Sequence, residues 1–143
     1  MSVDAVGGYH LHPTIADVST THLRFAGGEQ AQVFVSWLHP FKEQKLIAVG
    51  TDAMAVFDDG EPWGRKLQLY RHQLEWKDNG RTAILAEAVS VPVDEKEPLR
   101  EECLHFLDCI RTGARPRTDG REGVRVLRVL ERASEALRRT RTA

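Results

Sequence analysis

Through its first two thirds the chain alternates apolar and polar residues at the two-residue period of a strand, and through its last third the apolar positions recur at the helical period. The alternation predicts strands over Ser2–Tyr9, Asp17–Phe25, Gln30–Leu38, Lys45–Val49, Ala53–Asp58, Arg65–Trp76 and Arg81–Val93. Gly27-Gly28, Gly50-Thr51-Asp52, the Gly60–Gly64 stretch and Asp78-Asn79-Gly80 fall between these runs and read as turns. Such short connections require antiparallel neighbours, because parallel strands need long crossovers. In the last third, Leu99, Cys103, Phe106, Leu107 and Ile110 form one helical stripe, with Pro98 in the first turn and Gly113 at the end. A second helix begins near Thr118 or Asp119, either of which is a good cap, and buries Val126, Val129, Leu130, Ala133, Ala136 and Leu137. The expected fold is α+β: one open, mostly antiparallel sheet of about six to seven strands with two C-terminal helices on one face. Gln30–Leu38 is apolar on both faces, Val33, Val35 and Trp37 against Phe34 and Leu38. Two helices cannot cover both sides of such a sheet, so the pattern predicts an open face that meets a second domain or a second copy of the chain.

Length and charge narrow the function classes. A chain of 143 residues suffices for one domain, expected to span 1–143, and buries roughly two thirds of its unfolded surface without a staple. Apolar residues at 41% and charged residues at 29% describe a globule rather than a disordered chain. A net charge of −1 argues against nucleic acid as the partner. No apolar run approaches the roughly 20 residues of a membrane span, and the first residues do not read as a signal peptide, so the expected location is cytoplasmic. Cys103 and Cys109, about 9 Å apart along one helix, are too distant for a disulfide and read as reduced, mostly buried thiols.

The candidate chemistry is concentrated at strand ends. His10 and His12 share a face if their stretch is extended, but no carboxylate or thiol follows at zinc-ligand spacing, so no metal is expected. His22, His39, His72 and His105 show no spacing rule. There is no G-x-S-x-G elbow, no G-x-G-x-x-G and no phosphate-binding P-loop. Arg121, Arg125, Arg128, Arg132 and Arg139 share one helical face, and with Glu122, Glu131 and Glu135 nearby they read as a solvated surface. Ser36-Trp37-Leu38-His39-Pro40-Phe41-Lys42 is the most unusual stretch: an aromatic ring and hydrogen-bond donors close a strong strand, a combination suited to stacking on a sugar or nucleotide. The substrate-binding candidates are His10, His12, Trp37, His39 and Lys42.

At this stretch the chain resembles the C-terminal domain of the Gfo/Idh/MocA oxidoreductases, in the branch of nucleotide-sugar 3-dehydrogenases. The resemblance rests on four stretches in order. They are Tyr9–Asp17, Val35–Lys42, Val49-Gly50-Thr51 with Met54–Asp59, and Glu97–Phe106 with Pro116–Gly120. It implies a mixed, largely antiparallel open sheet with helices on one face and a second subunit on the other. It also implies a role in contacting a sugar or nucleotide-sugar and completing the cleft over a nicotinamide.

The departures are as informative. Family members begin with a Rossmann domain whose glycine-rich loop holds NAD(P), and these residues contain no such loop. Their catalytic lysine lies in a Glu-Lys-Pro motif; Glu95-Lys96-Glu97-Pro98 is similar only superficially, just before a helix, and the role does not pass to Lys96. Their Asp-x-x-x-His pair lies ahead of the point where Met1 begins. The expectation is therefore a chain that binds no cofactor alone and holds no catalytic residue of the dehydrogenase, its complete enzyme using NAD(P). Two alternatives remain open: a stand-alone dimeric subunit that pairs with a separate Rossmann protein, and a small non-redox isomerase or cyclase. The second would use His10, His12, Trp37, His39 and Lys42 in the sheet cleft, with a histidine as acid or base.

Overall fold

The computed structural model describes residues 1–71, 73–77, 80–84 and 87–141, the side chains of 73–77 and 80–84 excepted. His72 and the Asp78-Asn79 part of the expected turn lie outside the described residues. The chain forms two compact units, Met1–Pro40 with Cys103–Ala143, and Phe41–Glu102, the division falling within the first helix.

In the first unit, β1 (Ser2–Gly8), β2 (Val18–Arg24) and β3 (Gln30–Ser36) make a three-stranded antiparallel sheet in that order. Register pairs Val3 with Leu23 and Ala5 with Thr21 on one face, and Asp4 with His22 and Thr20 with Phe34 on the other. Helix α2 (Gly120–Arg141) lies along β1. It buries Ala136 together with Val3 and Ala5, and half-buries Val129, Ala133 and Leu137. Thr140 donates its hydroxyl to the Ala5 carbonyl at 3.2 Å, and Arg132 reaches the Met1 carbonyl at 3.2 Å. The approach is close enough that a Cβ on Gly7 would meet Leu137 Cδ2 and the Val18 carbonyl, each at 2.9 Å.

The second unit holds a four-stranded antiparallel sheet, β4 (Lys45–Val49), β5 (Met54–Asp58), β6 (Leu67–Tyr70) and β9 (Ala88–Ser90), with a 3-10 turn at Trp63–Arg65. A separate hairpin pairs β7 (Gln73–Lys77) with β8 (Gly80–Ile84). The register sorts the four-stranded sheet into two unlike faces. Leu46, Ala48, Ala55, Phe57, Leu67, Leu69 and Val89 share one, wholly apolar, while Lys45, Asp58, Gln68, Tyr70 and Ser90 share the other with Ile47, Val49, Met54, Val56 and Ala88.

The fold is α+β and antiparallel with two C-terminal helices, and the two larger sheets together hold seven strands. Among the described residues the hydrogen-bonded ladders fall into groups of three, four and two strands. The runs read as single strands over Arg65–Trp76 and Arg81–Val93 each divide in two, since alternation carries on across a break and does not mark it. Helix α1 (Pro98–Thr112) starts and stops where the proline and glycine predict: Gly113, at φ 70°, donates to the Cys109 carbonyl at 2.9 Å.

The helical burial differs from the expectation. Leu99, Phe106, Leu107 and Ile110 are exposed, Ile110 at 66%, as are Val126 and Leu130 of α2. Cys103 is exposed while Cys109 is buried, so only one of the two thiols is core. Periodicity identifies which side of a helix is apolar, but the element that covers it need not lie in the same chain. Gly7→Val should destabilise the first unit by about 1–3 kcal/mol by overpacking. The readout is a lowered urea midpoint at unchanged m; an unmoved midpoint would show that α2 does not seat so tightly on β1.

Candidate functional site

The strand-end cluster is organised by a carboxylate that the sequence did not single out. Asp17, at the start of β2, is buried. Its Oδ2 accepts the backbone N–H of Leu11 at 2.7 Å and that of His10 by a very short hydrogen bond. Its own N–H donates to the Gly8 carbonyl at 2.9 Å, and its carbonyl accepts the Trp37 N–H at 2.8 Å. One residue thereby ties the end of β1, the loop after it and the end of β3 together. The Leu11 N–H, followed by that of His10, holds the Asp17 carboxyl below the ordinary carboxylate range, against an opposing effect of desolvation.

His10 and His12 therefore sit in a bent loop rather than an extended strand, and the shared-face geometry does not arise. The His10 ring lies over Gly8. His12 Nδ1 accepts the Thr14 N–H at 3.2 Å, a local turn that fixes its ring. Among the described residues no three His, Cys, Asp or Glu side chains are grouped to hold a metal ion. Trp37 is 85% exposed, so its indole is presented to solvent from an anchored backbone. Ser36 Oγ accepts the Leu38 N–H at 3.1 Å, and the His39 ring packs against Phe34 with centroids 5.6 Å apart.

Lys42 belongs to the second unit. Its ammonium pairs with Asp59 Oδ2 at 3.6 Å, and Asp59 also accepts from the buried Lys66 at 2.7 Å. Lys66 donates in addition to the Asp59 carbonyl at 2.7 Å and lies 4.9 Å from the Trp63 ring centre. Lys66, followed by Lys42, keeps the Asp59 carboxyl below its ordinary range.

Oxidoreductases are among the solved structures that this architecture matches. UDP-N-acetylglucosamine 3-dehydrogenase GnnA from Acidithiobacillus ferrooxidans superposes with a TM-score of 0.77 at 20% identity, covering 96% of this chain and 40% of that one. Its second crystal form gives 0.78 at 21%. The aldose-aldose oxidoreductase from Caulobacter crescentus, complexed with glycerol, gives 0.71 at 19%, covering 96% of this chain and 39% of that one. The chain shares its fold with a part of each of these oxidoreductases. The chain spans about two fifths of the length of the proteins it matches. No family model matches it, and no curated protein matches it.

The sequence resemblance implies a dinucleotide in the complete enzyme, and the helix starts described here do not fit its pyrophosphate. A pyrophosphate is held where a glycine-rich turn leads from a strand into a helix whose first N–H groups are free. Both helices of this chain start with those groups taken. Glu97 Oε1 accepts the Leu99 N–H at 3.2 Å and its Oε2 accepts the Arg100 N–H at 2.5 Å. Asp119 Oδ1 accepts the N–H of Arg121 and of Glu122, each at 3.0 Å. A carboxylate at each helix start satisfies the donors and repels an anion.

Because the folded Asp17 carboxyl titrates below its unfolded value, its contribution is complete above the unfolded value, ~3.9, and is lost as pH falls through the folded one. The His10 and Leu11 amides should be protected from hydrogen exchange at pH 7 and open to it once Asp17 protonates. Asp17→Ala should open both at neutral pH; equal protection in that variant would remove Asp17 as the organiser of the loop.

Proposed function

We propose that these 143 residues act as one domain: the substrate-binding and oligomerisation part of an NAD(P)-dependent oxidoreductase of sugars or nucleotide-sugars. The domain does not complete dehydrogenation alone. The observation that carries the reading is the superposition over 96% of the chain onto two fifths of a nucleotide-sugar dehydrogenase. The carboxylate-capped helices support it, because neither helix start leaves its first N–H groups open to a pyrophosphate.

On this reading Trp37 is the platform for the apolar face of a sugar ring, its backbone fixed by Asp17 while its indole stays open. His10, His12 and His39 supply donors and acceptors on the same unit as the indole. The apolar positions left exposed, Val33, Phe34 and Val35 on β3 and Leu46 on β4, are where a second copy of the chain docks. The isomerase or cyclase reading has less support: Lys42 is tied to Asp59 and the His12 ring to Thr14, so neither is poised as a free acid or base. No helix among the described residues is long and apolar enough to cross a membrane.

Calorimetry with NADH and with NADPH tests the division of labour. The expected result is no heat of binding to this chain up to millimolar cofactor; micromolar binding would contradict the proposal. Trp37→Ala should leave thermal stability within about 0.5 kcal/mol of the parent, as for an exposed side chain, and a drop beyond that would make the indole structural.

A further inference from the structure

The mixed face of the four-stranded sheet carries a cleft that none of the candidate residues lines. It is an open concavity of about 420 Å³ across β4, β5, β6 and β9. Register puts Lys45 opposite Asp58, Val56 opposite Gln68, and Tyr70 opposite Ala88. Among the described residues nothing fills the space beside the Tyr70 ring opposite the small Ala88, and the phenol oxygen has no hydrogen-bond partner there. Around this apolar patch the polar groups are held in place by one another. Lys45 Nζ pairs with Asp58 Oδ2 at 2.9 Å, Arg65 with Glu61 at 2.5 Å, and Gln68 donates to Ser90 Oγ at 2.8 Å and to the Arg65 carbonyl at 3.2 Å.

The charges decide the ligand class. Each cation in the cleft is matched by a carboxylate, so the site has no net charge to spend on a phosphate or a carboxylate ligand. What it offers is an aromatic face, an open hydroxyl, and planar carboxylate, amide and guanidinium groups with spare donor and acceptor positions. That set complements a neutral polyhydroxylated ring, whose C–H face stacks on an aromatic side chain while adjacent hydroxyls bridge paired charged groups. We infer that this cleft is a monosaccharide-binding subsite, with Tyr70 as its platform and the Lys45–Asp58 pair as its hydroxyl clamp. The inference deepens the sugar reading above and rests on it for the choice of probe, but it places the contact on the second unit and on residues outside the strand-end cluster.

Titration of the chain with glucose and with N-acetylglucosamine, followed residue by residue in amide NMR spectra, tests it. The expected result is saturable shifts at Val56, Gln68 and Tyr70, with the affinity read from those shifts reduced at least tenfold in Tyr70→Ala and in Asp58→Asn. Tyr70→Phe should weaken binding less than Tyr70→Ala, since it keeps the ring and loses only the hydroxyl; the same spectra show whether each variant is folded. Shifts confined to the Trp37 region and abolished by Trp37→Ala would overturn the cleft while leaving the sugar reading of the chain intact. No saturable shift with either sugar would also overturn the cleft, whereas the broader reading stands or falls on the separate cofactor calorimetry.

Discussion

The structure is governed by apolar surface that its own elements leave in contact with water. Among the described residues the buried hydrophobic positions are Val3, Ala5, Cys109 and Ala136, all small or medium in size. The larger side chains are outside: Leu46 is 67% exposed and Val35 56%, and the stripe of α1 is open along its length. Burying such side chains is worth roughly 1.5–3 kcal/mol each. The proposed docking of a second copy rests on this forgone gain, and one face of the second sheet is apolar throughout while the other is mixed. Leu46, Phe57, Leu67, Leu69 and Val89 fall together by register and not by chance scatter.

Set against that open surface, the polar groups are unusually well bound. Asp17 satisfies the amides of two successive loop residues, Glu97 and Asp119 close the starts of both helices, and Asp59 gathers Lys66 and Lys42. These local bonds fix the loops and termini without requiring a large core. They also bear on function: the carboxylates that make the helix starts stable make them unfit for a pyrophosphate, while Asp17 holds the backbone of Trp37 and frees its indole.

Strand positions and turns were legible because alternation and glycine placement are local signals; β4 has the bounds its pattern predicts, and α1 ends at Gly113. Burial was not, because Val126, Leu130 and Cys103 lie on apolar stripes whose cover the sequence of one chain does not specify. Asp17 escaped notice for a related reason: its partners are backbone amides, which every residue carries, so no side-chain pattern reveals it. The only trace was an acidic residue a few positions after a bend-rich loop. Lys42 was grouped with Trp37 and His39 by nearness in sequence, but the chain passes from one unit to the next at Phe41 and its partner is Asp59. The sheet cleft was hidden because Lys45, Asp58, Gln68 and Tyr70 converge only through strand register.

Sedimentation equilibrium over a range of chain concentrations tests the central claim most directly. Surface of this kind predicts a reversible monomer–dimer equilibrium in the micromolar range, pushed toward monomer by Val35→Lys on β3 or Leu46→Lys on β4. A single monomeric mass at every concentration, unchanged by either substitution, would contradict the view that these faces are built to be covered by a second copy.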